Sequence, residues 1–219
     1  MTPTDLLADV ALFAELTPAE LEQLASASEA QELRRGDVLF REDDDPDCLY
    51  VVVEGRIAIA KRSVDGRESV VALMESGDLF GEMGLFERLG RSAEARALEQ
   101  SRVLVIGYDP IREIYENRPE LLWGVVALLA SRLRNMDVAL ADSVFLDVTG
   151  RTAKRLVEMA GGADEFTLPV TQEELAAMVG ASRERVNKAI ASFVRLGWIA
   201  QADRRYRITD REQLERRAR

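Results

Sequence analysis

Turn residues recur at short intervals between Arg34 and Tyr108, and that punctuation restricts this stretch to short strands. Arg35-Gly36-Asp37, Glu54-Gly55, Asp65-Gly66 and Ser76-Gly77-Asp78 separate β-prone runs, the clearest being Val38-Leu39-Phe40 and residues 48–53, 56–61, 69–74 and 102–106. Asp-Gly between alternating runs is a strong hairpin signal, because the turn needs positive φ and glycine adopts it without steric cost. Many short antiparallel strands close together predict a small β-barrel or jelly roll. Ahead of them, Thr17-Pro18-Ala19-Glu20 predicts a helix start, with Thr as N-cap, Pro first and Glu third. That helix runs through Leu21 and Leu24 and ends before Leu33.

The period changes after Tyr108. A short helix is expected from Pro110 through Tyr115 and a long one from Pro119 to about Val144. In the long helix Leu122, Val126, Leu129, Leu133, Met136 and Leu140 alternate spacings of four and three, and Val144 follows four residues on. This is the narrow apolar seam of a coiled coil. It either packs on the chain's own barrel or joins two copies. So many aligned positions favour a homodimer, held at Leu122, Val126, Leu129, Leu133, Met136 and Leu140. Thr149-Gly150 reads as a break; beyond it Arg151 to Met159 is amphipathic and Gly161-Gly162 ends the helix.

Thr171-Gln172-Glu173-Glu174 forms a capping box that opens a helix through Met178. Val179-Gly180-Ala181-Ser182 supplies a tight turn, and Ser182 caps a second helix reaching about Arg195. Two short helices joined this way form a helix-turn-helix. Arg183, Glu184, Asn187 and Lys188 lie on one side of the second helix, opposite Val186, Ile190 and Phe193. Polar residues in the first turns of such a helix reach base edges, Arg pairing with guanine and Glu with cytosine. Residues 198–208 read as a β-hairpin wing, whose Arg204 and Arg205 would meet phosphates.

The charge distribution supports this division. The chain has 219 residues and a net charge of −10. Residues 151–219 nevertheless hold 14 basic and 10 acidic residues, whereas residues 1–150 hold 15 basic and 29 acidic. An acidic sensor joined to a mildly basic binding end fits that asymmetry. The absence of histidine excludes Ser-His-Asp and Cys-His catalysis, His-ligated zinc and His-ligated haem. One cysteine, Cys48, excludes an internal disulfide and a four-cysteine iron–sulfur cluster. Cys48 is either a redox-sensing thiol or passive packing. With no Walker loop either, no constellation supports an enzyme. No apolar run approaches the ~20 residues that span a bilayer, and residues 1–11 carry no Lys or Arg. A cytoplasmic protein with no membrane partner is expected.

One barrel segment stands apart: Gly77-Asp78-Leu79-Phe80-Gly81-Glu82-Met83-Gly84-Leu85-Phe86, followed by Gly90-Arg91-Ser92-Ala93. Glycines beside Glu82 permit close backbone approach, and Arg91 and Ser92 offer contacts to an anion. Glu82 would accept from a sugar hydroxyl. The segment reads as a metal-free sugar-phosphate cradle, or as a glycine-rich turn beside a surface arginine.

Over nearly its whole length the chain resembles the cyclic-AMP receptor protein/FNR family of bacterial regulators, especially the actinobacterial receptor proteins. The family's phosphate cassette is similar to Phe80-Gly81-Glu82-Met83 with Arg91-Ser92-Ala93. Its hinge is similar to Phe145-Leu146-Asp147-Val148-Thr149-Gly150-Arg151. Its recognition helix is similar to Val179 through Lys188. The resemblance implies cyclic AMP as effector, Glu82 on the ribose 2′-hydroxyl, Arg91 and Ser92 on the cyclic phosphate, and Gly81 and Met83 as further ligand-binding residues. It implies Ser182, Arg183, Glu184, Arg185, Asn187 and Lys188 at double-stranded DNA of TGTGA type, and RNA polymerase as a further partner. Three departures stand out. Met136 and Asp137 occupy the positions where cyclic-AMP responders place Thr and then Ser or Asn against adenine. Glu42-Asp43-Asp44-Asp45-Pro46-Asp47 lacks two usual glycines, and Arg185 replaces a usual Thr. The expected architecture is α+β: a cyclic-nucleotide-type jelly roll over 1–118, a long dimerisation helix and hinge over 119–148, and a winged helix-turn-helix over 149–219.

Overall fold

Capping decides where the first helices begin. Thr2 and Thr17 each accept from the amide three residues on, and Asp5 and Glu20 return the bond to the cap's own amide. These capping boxes start α1 (Pro3–Ala8) and α2 (Pro18–Ser26). The second is the helix expected at Thr17; the first repeats its signal at Thr2-Pro3-Thr4-Asp5. The computed structural model describes residues 2–66, 68–87 and 89–219. Met1, Arg67 and Arg88 lie outside it and carry none of the site assignments above. The chain forms two units, Met1–Ser63 with Val71–Leu133 and Val64–Val70 with Arg134–Arg219.

Among the described residues eight strands build the barrel: β1 (Ser28–Leu33), β2 (Val38–Phe40), β3 (Cys48–Glu54), β4 (Ile57–Arg62), β5 (Glu68–Met74), β6 (Leu79–Phe80), β7 (Glu94–Ala97) and β8 (Ser101–Gly107). They form two four-stranded sheets, ordered β1-β8-β3-β6 and β2-β7-β4-β5. In the first sheet Tyr50 of β3 stands opposite Val105 on one side and Phe80 on the other. Alternation along β3 divides its side chains between two cores. Leu49 and Val51 join Leu7, Phe13, Leu24, Leu104, Ile106 and Ile111. Tyr50 and Val52 join Phe40, Ile57, Phe80, Ala95 and Val103. Each such side chain contributes roughly 1.5–3 kcal/mol on burial, so β3 is buried on both faces and anchors the barrel.

A short helix α3 (Met83–Phe86) follows β6, and α4 (Tyr108–Asn117) with a 3-10 turn at Pro119–Leu121 leads into α5 (Leu122–Phe145). The face of α5 that packs on the barrel core carries Val125 and Leu128. The heptad seam is a different face. Leu129, Leu133, Met136 and Leu140 remain 43%, 60%, 67% and 64% exposed in the single chain.

The second unit continues with α6 (Val148–Ala160), β9 (Glu165–Thr167), α7 (Gln172–Val179), α8 (Arg183–Arg195), β10 (Ile199–Ala202), β11 (Arg205–Ile208) and α9 (Arg211–Arg217). Thr149-Gly150 is not a break, contrary to the sequence pattern. Helix α5 ends at Phe145, and Asp147 caps α6 by accepting from the Gly150 amide at 2.8 Å. Gly150 is needed for close packing: a Cβ there would lie 2.9 Å from Arg217 Nη1 and 3.1 Å from the Arg217 carbonyl. Arg217 also pairs with the Asp147 carboxylate. The wing is a three-stranded sheet, β10-β11-β9. Leu156, Leu175, Val179, Val186, Ile190, Phe193, Tyr206 and Leu214 fill the core beneath it.

Candidate functional site

The cradle begins where β6 ends. Gly81 adopts φ +82°, a conformation that L side chains rarely take, and a Cβ there would stand 2.8 Å from Arg91 Nη1. Glu82 follows and is 1% exposed. One carboxylate oxygen meets Arg132 Nη1, whose second nitrogen donates to the Leu79 carbonyl at 2.6 Å. The other oxygen, Oε2, is buried with no hydrogen-bond partner among the described residues. Burial pushes the Glu82 carboxyl above its ordinary range, and the Arg132 charge opposes that shift.

Arg91, only 6% exposed, lies across the same loop. Nη1 donates to the Gly81 carbonyl at 2.8 Å and to the Tyr108 hydroxyl at 3.2 Å, while Nη2 donates to the Cys48 carbonyl at 2.8 Å. Its Nε is buried without a hydrogen-bond partner among the described residues. Tyr108 donates in turn to the Gly81 carbonyl, and burial raises its hydroxyl pKa to about 12, so it stays protonated. Ser92 is exposed beside Met83, with Oγ 3.6 Å from the sulfur.

The structure therefore brings Gly81, Glu82, Met83, Arg91 and Ser92 together. A buried carboxylate oxygen awaits a donor and a buried guanidinium N–H awaits an acceptor. An orphaned buried polar atom costs about 1–3 kcal/mol. A ligand offering a hydroxyl to Glu82 and an anionic oxygen to Arg91 would relieve both, so a sugar phosphate fits. Among the described residues no His, Cys, Asp or Glu cluster could hold a metal ion. Met136 and Asp137 belong to the second unit and stand exposed on α5. Arg132 is a residue that sequence reasoning missed; its only signal was a cation flanking the seam, between Leu129 and Leu133. Cys48 is half-buried, and burial pushes its thiol pKa up, which favours passive packing.

In the second unit Thr171 and Glu174 form the expected capping box, and Gly180, at φ +68°, ends α7 in the left-handed conformation. Ser182 caps α8, accepting from the Arg185 amide at 3.4 Å. Val186, Ala189, Ile190 and Phe193 turn inward. Arg183, Glu184, Arg185 and Lys188 are exposed, and Lys188 pairs with Glu184 at 2.8 Å. Asn187 departs from that row: it is half-buried, with a buried, unpartnered Oδ1. Arg204 and Arg205 lie at the wing's tip and start, both exposed. Arg204 Nη2 donates to the Leu168 carbonyl at 3.0 Å. No helix among the described residues is long and apolar enough to cross a membrane.

Comparison with known proteins identifies a domain family for each region. Residues 30–118 match the cyclic nucleotide-binding domain, and residues 150–217 match the Crp-like helix-turn-helix domain. The chain is 37% identical, over 98% of its own length and 99% of the relative's, to a CRP-like cAMP-activated global transcriptional regulator of Mycobacterium tuberculosis. It is 35% identical to the cAMP-activated global transcriptional regulator Vfr of Pseudomonas aeruginosa, over 70% of this chain and 76% of that one. Among solved structures, the c-di-GMP responsive global regulator CLP of Xanthomonas campestris superposes with a TM-score of 0.76 at 25% identity, covering 88% of this chain and 99% of that one. The chain belongs to the CRP/FNR family of bacterial regulators, and is a DNA-binding transcription regulator with a cyclic nucleotide-binding domain.

Proposed function

We propose that the chain acts as a homodimer whose affinity for a palindromic operator is set by cyclic AMP held in the barrel. The observation that carries this reading is the pair of buried atoms left without a hydrogen-bond partner among the described residues, Glu82 Oε2 and Arg91 Nε, both on the segment between β6 and β7. Glu82 would take a ribose hydroxyl, and Arg91 with Ser92 the cyclic phosphate, flanked by Gly81 and Met83. Met136 and Asp137 would approach the base. The barrel is read as residues 1–118, the dimerisation helix and hinge as 119–148, and the DNA reader as 149–219.

The exposed seam on α5 supports self-association: Leu122, Val126, Leu129, Leu133, Met136 and Leu140 form one apolar row that the chain itself leaves uncovered. A two-fold dimer would present two copies of α8 to half-sites one turn, roughly 34–36 Å, apart. Arg183 and Glu184 would read base edges. Ser182, Arg185 and Lys188 would add contacts beside them, and Arg204 and Arg205 would meet phosphates. Asn187 is then read chiefly as support for the helix. RNA polymerase, implied by the family resemblance, would be the protein partner, and no catalytic step is required.

For such a switch the nucleotide must bind the operator-competent arrangement more tightly than the other. A second reading keeps the regulator and changes the ligand. Met136 offers no hydrogen-bond donor or acceptor of hydroxyl strength, and a relative of the same fold is described as responsive to c-di-GMP. Calorimetric titration with cyclic AMP, cyclic GMP and c-di-GMP, repeated with operator duplex present, separates these readings. Cyclic AMP should bind and strengthen operator binding. A response to c-di-GMP alone, or none to any nucleotide, overturns the first reading.

A further inference from the structure

Arg91 is held by more than its hydrogen bonds. Its guanidinium carbon lies 4.3 Å from the centroid of the Phe40 ring and 5.7 Å from that of Tyr50. Phe40, Tyr50 and Phe80 pack on one another, with centroids 5.6, 6.2 and 5.2 Å apart. The ring beneath Arg91 is therefore itself wedged, and Phe40 is only 9% exposed. The Gly81 and Cys48 carbonyls and the Tyr108 hydroxyl hold the Nη edge. Bonds along one edge leave the planar group able to tilt about that edge. A ring face beneath removes this freedom, because the cation is drawn to the π quadrupole, most strongly when both are desolvated.

We propose that Phe40 is a positioning residue for phosphate recognition, its ring holding the Arg91 guanidinium in the plane from which Nε meets an anionic ligand oxygen. The proposal rests on the reading of Arg91 as the phosphate ligand. Phe40 touches neither sugar nor base in this scheme and acts only through Arg91. Its contribution should follow the aromatic face rather than the bulk of the side chain.

The test is calorimetric titration of the full chain with cyclic AMP, comparing wild type, Phe40→Leu, Phe40→Tyr, Arg91→Ala and the Phe40→Leu/Arg91→Ala double variant. Phe40→Leu should weaken binding on the order of tenfold, and Phe40→Tyr should stay within about twofold of wild type. In the Arg91→Ala background Phe40→Leu should cost nothing further, because the coupling passes through the guanidinium. A general packing defect would cost the same in both backgrounds. Should Phe40→Leu fail to fold, Phe40→Met carries the same comparison. An equal loss in both backgrounds overturns the role of Phe40 and leaves the Arg91 reading standing. So does wild-type affinity in Phe40→Leu beside a weakened Arg91→Ala. Wild-type affinity in Arg91→Ala, or a wild type that does not bind the nucleotide, overturns both.

Discussion

The barrel and the C-terminal unit use charge in opposite ways. In the barrel the candidate ligand residues are desolvated: Glu82 and Arg91 are 1% and 6% exposed, each with one polar atom unfilled. In the C-terminal unit Glu184 and Lys188 pair at the surface with side chains 76% and 75% exposed, and Arg183 and Arg185 stand exposed beside them. Buried charge interacts strongly with one well-fitted partner and is little screened by salt. Exposed charge suits a long polyanion whose counterions are released on binding, and its effect falls as salt rises. The barrel is thus built to discriminate a small ligand, and the C-terminal unit to dock on a phosphate backbone.

The largest effect should come from the helix that carries the exposed seam. Replacing Leu129 and Leu133 together with Glu would place four carboxylates in the proposed two-fold interface. Sedimentation should then show monomers, and operator binding should fall to the nonspecific level, on the order of a thousandfold or more. A double variant that remains dimeric would show that another surface makes the dimer. Ligand affinity offers the next test. Arg91→Ala removes a charge-assisted contact and should cost about 1.5–3 kcal/mol of cyclic-AMP affinity, nearly unchanged between low and moderate salt. A loss that disappears at moderate salt would mean that Arg91 behaves as an exposed cation.

Arg183→Ala should cost operator binding about 1–3 kcal/mol and relax preference at one base pair of each half-site. Selection from randomised duplexes checks this directly. An unchanged motif would mean that Arg183 reads no base and that the contrast extends to purely electrostatic docking. Arg185→Ala in the same selection shows whether the arginine in place of the usual threonine adds a phosphate contact or changes the neighbouring base.

Much of this architecture was legible in residue order, and the failures have physical causes. Turn glycines marked β2 to β5, and the 4–3 spacing marked α5. Strand β1 escaped because Glu29, Ala30, Gln31 and Glu32 are all exposed, so no alternation betrays it. Strands β6 and β7 are two and four residues long, too short for a period to show. Gly150 was misread because a glycine that admits a neighbouring helix looks the same in sequence as one that ends a helix. The cradle motif put Glu82 and Arg91 on one segment of sequence, which runs between β6 and β7. Their partners Arg132 and Phe40 come from α5 and β2, and only the tertiary fold supplies them. The partial burial of Asn187 was likewise unreadable, since helical spacing alone put it beside Arg183.

The smallest expected effect separates two adjacent wing arginines that sequence alone treats as equivalent. Arg204 already donates to the Leu168 carbonyl at 3.0 Å, and its own backbone carbonyl accepts from the Leu168 amide at 2.7 Å. Its side chain thus ties the wing to the segment after β9. Arg205 sits at the start of β11, exposed, with its backbone opposite Ala202 and Thr167. Removing Arg205 should weaken all DNA sequences alike and flatten the dependence of log affinity on log salt by roughly 0.9 for the lost phosphate contact. Arg204→Ala should change that slope less and instead lower the stability of the unit by about 0.5–1.5 kcal/mol, the net worth of one hydrogen bond. Salt titrations of binding and urea melts of both variants give the two readouts. If Arg204→Ala flattens the slope as much as Arg205→Ala does and leaves stability unchanged, the Leu168 contact yields to phosphate on DNA. The wing would then be as adaptable as the cradle is fixed.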